Sequence, residues 1–170
     1  TIEPVTTTTT TIAPTTTTTT TTPPYSGPLL RTDNGDGTAT ITGYDGDIST
    51  VTDIDIPNSI NGLVVTAIGN DAFAYCQSLN NLSLPDSIIS IGDDAFTNCE
   101  TLQSLVIPDS VTTIGTGAFA LCISLTNLVI GISVDSIGTG VFYGCNILPN
   151  AIFKGNTPST FGESNFEGHS

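Results

Sequence analysis

The residues that could do chemistry are few and widely scattered. The chain has one histidine, His169, four cysteines, two permanent cations, Arg31 and Lys154, and 16 aspartates and glutamates. Hydrolysis or group transfer needs a nucleophile beside a base, or a pair of poised carboxylates. His169 stands in a C-terminal tail, where a solvated side chain is the ordinary reading. Asp71 and Asp94 share one repeated position, but that position becomes Gly117 and Gly140 further on. Asp86 and Asp109 each follow a proline, where an aspartate bonds its own backbone in a turn. No glycine-rich phosphate loop follows a strand and opens a helix. These residues predict no catalytic site and no cofactor.

Metal chemistry fares no better. The stretch Asp33-Asn34-Gly35-Asp36-Gly37 has the flavour of a calcium loop, but Gly35 stands where an oxygen ligand is needed and no closing glutamate follows. A plain turn is expected there. Cys76, Cys99, Cys122 and Cys145 lie 23 residues apart. Four thiols in a line cannot surround a tetrahedral zinc. If each cysteine sits one strand spacing from the next, roughly 4.8 Å, the side chains point the same way, and parallel Cβ vectors do not suit a disulfide. The expectation is a row of buried free thiols, and no metal.

The elements that place these residues follow from the same period. Phe73, Phe96, Phe119 and Phe142 recur every 23 residues, as do Ile68, Ile91, Ile114 and Ile137. A fixed period of that size with apolar residues in phase marks a solenoid. Within one unit, Leu105 and Ile107 alternate with Ser104 and Val106, a short strand with one face inward. Pro108 ends the strand because it cannot donate to a ladder. Val111 and Ile114 turn inward again. Gly115 permits a corner where a side chain would clash. Ala118, Phe119 and Cys122 sit three or four apart, which suits one or two helical turns, and Leu125 closes the coil. One such unit cannot bury its apolar face alone, so neighbours stack and share a core.

The pattern Ile-Pro-x-Ser-Val-x-x-Ile-Gly-x-x-Ala-Phe-x-x-Cys-x-Ser-Leu resembles the BspA-like leucine-rich repeats, over roughly Ile54 to Phe166. The resemblance implies an α/β solenoid, a right-handed superhelix with a parallel β-sheet on one face and short helical or irregular turns on the other. Strands are expected near 53–56, 81–84, 104–107, 127–130 and 150–153. It also implies a surface-protein family whose members bind host or matrix proteins, or neighbouring cells. It names no ligand.

Composition divides the chain. Residues 1–28 are mostly Thr and Pro, including the runs Thr6–Thr11 and Thr15–Thr22, and cannot form a core. They read as a spacer, and on a sharper reading as an O-glycosylated stalk. Residues 29–53 read as an amino-terminal β cap, 54–153 as the repeats and 154–170 as a terminal unit cut short of further protein. Between Pro57 and Gly69 lie eleven residues where later units have six. The extra residues surround Asn61-Gly62, which predicts an outward hairpin or bulge. Phe161 and Phe166 are expected to pack over the last coil. Net charge is −14, which argues against nucleic acid and against anionic membrane surfaces. No apolar span long enough to cross a membrane is present.

The function expected is therefore a non-enzymatic adhesion or interaction module, extracellular or on a cell surface, with a protein or glycan partner. The alternative is a spacer or accessory domain of a larger extracellular enzyme. The candidate contact face takes two outward positions from each coil: Asn81, Ser104, Asn127 and Asn150 in one row, and Ser83, Val106, Val129 and Ile152 in the other, with Asp53 and Asp55 beginning them. Asn81-Leu82-Ser83 is also an N-glycosylation sequon, and a glycan there would block the face.

Overall fold

In the computed structural model the described residues are 28–148 and 151–166. The Thr and Pro runs, Asn150 and His169 lie outside them. The chain opens with a hairpin, β1 (Leu29–Asp33) and β2 (Thr38–Tyr44). A single 3-10 turn at Ile48–Thr50 follows, capped by the Asp47 carboxylate, which accepts from the Ser49 N–H at 3.1 Å. Then come β3 (Asp53–Asp55), β4 (Ser59–Ile60), β5 (Leu63–Ile68), β6 (Asn81–Ser83), β7 (Ser90–Ile91) and β8 (Ser104–Val106). The series ends with β9 (Thr113–Ile114), β10 (Asn127–Ile130), β11 (Ser136–Ile137), β12 (Ala151–Phe153) and β13 (Thr160–Phe161).

Successive coils align by residue. Val106 pairs with Val129 and Val129 with Ile152 in parallel ladders, so each strand lies beside its counterpart one repeat away. The rows predicted from the period are the core. Phe73, Phe96, Phe119 and Phe142 are fully buried. Their rings stack at centroid separations of 5.2, 5.2 and 6.0 Å, within 16° of parallel. Phe166 continues the column 5.5 Å beyond Phe142. The four cysteines are buried and free. The thiols of Cys99, Cys122 and Cys145 donate to the carbonyls of Phe73, Phe96 and Phe119 at 3.6, 3.5 and 3.4 Å.

Two expectations need correction. The α/β description fails, because among the described residues the 3-10 turn is the only helical element. The segments around Phe73, Phe96 and Phe119, expected as helical turns, spend their N–H groups on the next coil. Phe96 donates to Ala118 O at 2.8 Å and Asn98 to Ala120 O at 2.7 Å, while Thr97 closes back on Asp94 O at 3.1 Å. An α-helix needs those donors for the residue four back. Left-handed residues break it further: φ is 54° at Asp71 and 50° at Asp94, then 64° at Gly117 and 62° at Gly140. Gly, Asn and Asp enter that region at least cost, which accounts for Asp giving way to Gly at this one position.

The second correction concerns the number of sheets. Beside the two smaller sheets that carry the candidate face, β3-β6 and β12-β10-β8, a larger one runs β1-β2-β5-β7-β9-β11-β13, with β4 on β5. The inward residues Ile68, Ile91, Ile114 and Ile137 pair in register within it, as does Phe161. Their backbones also sit one coil apart, so a ladder forms wherever the chain is extended. Gly115 allows the coils to approach there: a Cβ on it would lie 2.5 Å from the Asp93 backbone nitrogen. The Asn61-Gly62 insertion is a hairpin, β4 antiparallel to β5, with φ of 53° and 84° at its two turn residues.

Candidate interaction surface

The candidate face is built by strand alternation. Leu105 and Leu128 point into the core at 1% exposure, and their neighbours Ser104, Val106 and Asn127 point out. Val106 is 53% exposed and Ile152 59%, with Val129 half-buried between them in register. These three form a continuous apolar stripe across β8, β10 and β12. Ser104 pairs with Asn127 in the row beside it. Asn81 and Ser83 lie opposite Asp53 and Asp55 across β3 and β6. Asn150, assigned to the first row, lies outside the described residues.

The face is not one unbroken sheet. β3 pairs with β6, and β8 pairs with β10 and β10 with β12, but β6 and β8 are not joined by a ladder. The break falls between two coils of regular length, one coil beyond the lengthened first one. A shallow groove of about 350 Å³ lies over it, lined by Asp53, Asp55, Asn81, Ser83, Ser104 and Val106. At its acidic end the two aspartates differ. Asp53 accepts from the Thr52 hydroxyl at 2.6 Å and from the Asn81 amide at 2.5 Å. Those bonds, the Thr52 one first, hold its carboxyl below the usual range. The Asp55 carboxylate has no hydrogen bond or ion pair among the described residues.

Several other polar groups serve the fold. In the Asp33–Gly37 turn, Asp33 accepts from the Gly35 N–H at 2.8 Å, and Asp36 accepts from the Thr38 N–H at 3.0 Å and hydroxyl at 2.6 Å. Asp109, expected to bond within its own turn, instead reaches forward to the Ile132 N–H at 3.2 Å and to Lys154 Nζ at 3.1 Å. Asp93 caps the Thr116 N–H at 2.7 Å in the same way. Asn165, unnoticed in the sequence, is buried at the last coil, accepts from Val141 N–H and donates to Gly162 O, both at 2.7 Å. Among the described residues no group of three or more His, Cys, Asp or Glu could hold a metal ion. Nor is any helix among them long and apolar enough to cross a membrane.

A second groove, of about 500 Å³, was not foreseen. It runs over the larger sheet along Thr40, Ala67, Ser90, Thr113 and Ser136, with Gly92, Gly115 and Gly138 beside them. The signal was present in the sequence: the residue before each repeat isoleucine is always small, and in later coils always hydroxylated.

Residues 47–170 match the BspA type leucine rich repeat region, in 6 copies. The chain belongs to this family. It is similar to a leucine-rich repeat protein from Bacteroides capillosus ATCC 29799, with 34% identity, a TM-score of 0.67, and coverage of 76% of this chain and 96% of that one. It shares its fold with the T. pallidum leucine-rich repeat protein, at 23% identity and a TM-score of 0.52, over 80% and 83% of the two chains. Among curated proteins none matches. The BspA-type repeat accounts for the phased Phe, Cys and Ile rows, all of which point inward.

Proposed function

We propose that this BspA-type repeat protein is a non-enzymatic interaction module, presenting the β6-β8-β10-β12 face to a protein or glycan partner. One observation carries the reading: Val106, Val129 and Ile152 form an outward apolar stripe in register, flanked by Ser104 and Asn127. An apolar centre with a polar rim is the usual anatomy of a contact surface. Asp93, Asp109 and Asp135 each bond a backbone N–H of a neighbouring coil, which favours a scaffold over a catalyst. Extracellular or cell-surface placement belongs to the same reading. It is supported by family membership and by the Thr and Pro stretch ahead of the coils, read as a stalk that holds the module away from its anchor.

The test is a screen of matrix proteins and polysaccharides against the chain and its Val106→Glu/Val129→Glu variant. The expected result is a partner bound by the parent and lost by the variant, with the unfolding midpoint unchanged because both side chains face outward. Binding that survives the double substitution refutes the assignment of the face.

A further inference from the structure

Resting on that reading, we infer that the partner segment is an extended, cationic and apolar polypeptide that lies across the strands, with a basic side chain on Asp55 and apolar side chains on Val106 and Ile152. The row running Asp55, Ser83, Val106, Val129, Ile152 changes steadily from charge to hydrocarbon. Its acidic end is uncompensated. The chain carries −14 with two permanent cations, and Lys154 is tied to Asp109. Asp53 is already satisfied by Thr52 and Asn81, whereas Asp55 has no such bond among the described residues and lines the groove. A neutral glycan offers hydroxyl donors to that carboxylate but leaves its charge uncompensated, and an anionic partner is repelled by it. A Lys or Arg satisfies it without burying it.

The spacing sets the shape of the ligand. From β8 to β12 is two ladder intervals of roughly 4.8 Å each, and from β3 to β8 is one such interval plus the unladdered step between β6 and β8, whose strands still lie side by side. Two intervals are therefore roughly 10 Å. A polyproline II segment repeats its face every third residue and advances about 3.1 Å per residue, so three residues advance about 9 Å. A basic residue with apolar residues three and six positions on would place one side chain on each of Asp55, Val106 and Ile152. Such a segment has no internal hydrogen bonds and is pre-extended, so little conformational entropy is lost on docking.

The experiment uses a fluorescein-labelled peptide, Gly-Pro-Lys-Pro-Pro-Leu-Pro-Pro-Leu-Pro, and its twin with Glu in place of Lys, titrated by anisotropy at low and high salt. The Lys peptide is expected to bind about fivefold more tightly than the Glu peptide at low salt, the range of one exposed ion pair. The preference should shrink as salt shortens the screening length. Asp55→Asn should erase the preference without moving the thermal midpoint, and Val106→Glu/Val129→Glu should remove binding of both peptides. No binding of the Lys peptide at millimolar concentration, or a preference that persists in Asp55→Asn, overturns the inference. A screened partner lost in Val106→Glu/Val129→Glu but indifferent to Asp55→Asn and to salt also overturns it, while leaving the reading of the face in place. A screened partner that survives the double substitution sinks both.

Discussion

Removing the Phe119 ring tests the stacked core directly. Its side chain is fully buried, with Phe96 5.2 Å away on one side and Phe142 6.0 Å on the other. Phe119→Ala deletes a ring held between two coils whose backbones are fixed by inter-coil hydrogen bonds, Phe119 N–H to Val141 O at 2.9 Å and Leu121 N–H to Tyr143 O at 2.7 Å. The space cannot collapse easily, so both the transfer and cavity contributions apply, about 3–5 kcal/mol in all. Phe161→Ala is the control. Phe161 is 42% exposed and touches Phe153 and Phe166 at 6.3 and 6.2 Å. It leaves no closed cavity, and the lost burial comes to about 1–2 kcal/mol. Urea unfolding followed by far-ultraviolet circular dichroism measures both. Stacked repeats couple through nearest neighbours, so the Phe119 variant is also expected to show a broadened transition as its two flanks lose cooperativity. Equal losses for the two variants would mean that the repeat boundary is misplaced and the ring column is not the core.

The thiols make a second prediction. Cys99, Cys122 and Cys145 should resist thiol reagents in the native state, and denaturation should release four titratable thiols. The sign with pH follows from the shifts. At Cys145 the adjacent Cys122 thiol and then burial push the pKa up. At Cys99 and Cys122 the thiol of the following coil pulls down, but that of the preceding coil and burial outweigh it, so both are raised. The unfolded thiols ionise near their ordinary value of 9.0 while the folded ones stay protonated, so the thiols' contribution to stability should be constant below about pH 8 and fall as pH rises past 9. Replacing the three cysteines with alanine should flatten that fall, and an unchanged slope would contradict the buried row. Gly115→Ala should cost about 2–3 kcal/mol, an overpacking penalty, because its Cβ would meet the Asp93 nitrogen at 2.5 Å. A neutral result in the same urea assay would show that the coils can part there.

The period alone was enough to place the inward rows. A 23-residue spacing in phase for Phe, Cys and Ile admits one stacking, and each row is buried as read. Strand alternation likewise sent Ser104 and Val106 outward and Leu105 and Ile107 inward, because a strand's side chains change face at every residue. That part of the candidate face was legible from four consecutive residues.

What tertiary structure decided was where each backbone and side-chain polar group finds its partner. The segment Ala118-Phe119-Ala120-Leu121-Cys122 has spacing that suits a helix, yet every second N–H from Gly117 to Leu121 goes to the next coil instead. The same choice gave the isoleucine rows a ladder of their own, opened the break between β6 and β8, and made Asp109, read as a local turn former, a cap on an N–H group in the next coil, as Asp93 also is. A hydrogen bond to the residue four back is a local matter that spacing can forecast. A bond to a residue a full coil away depends on how closely two coils approach and in what register, which stacking settles. Sequence therefore settled which side chains face inward, while the contact between coils settled the sheets and the groove in which the Asp55 carboxylate stands beside the bonded Asp53.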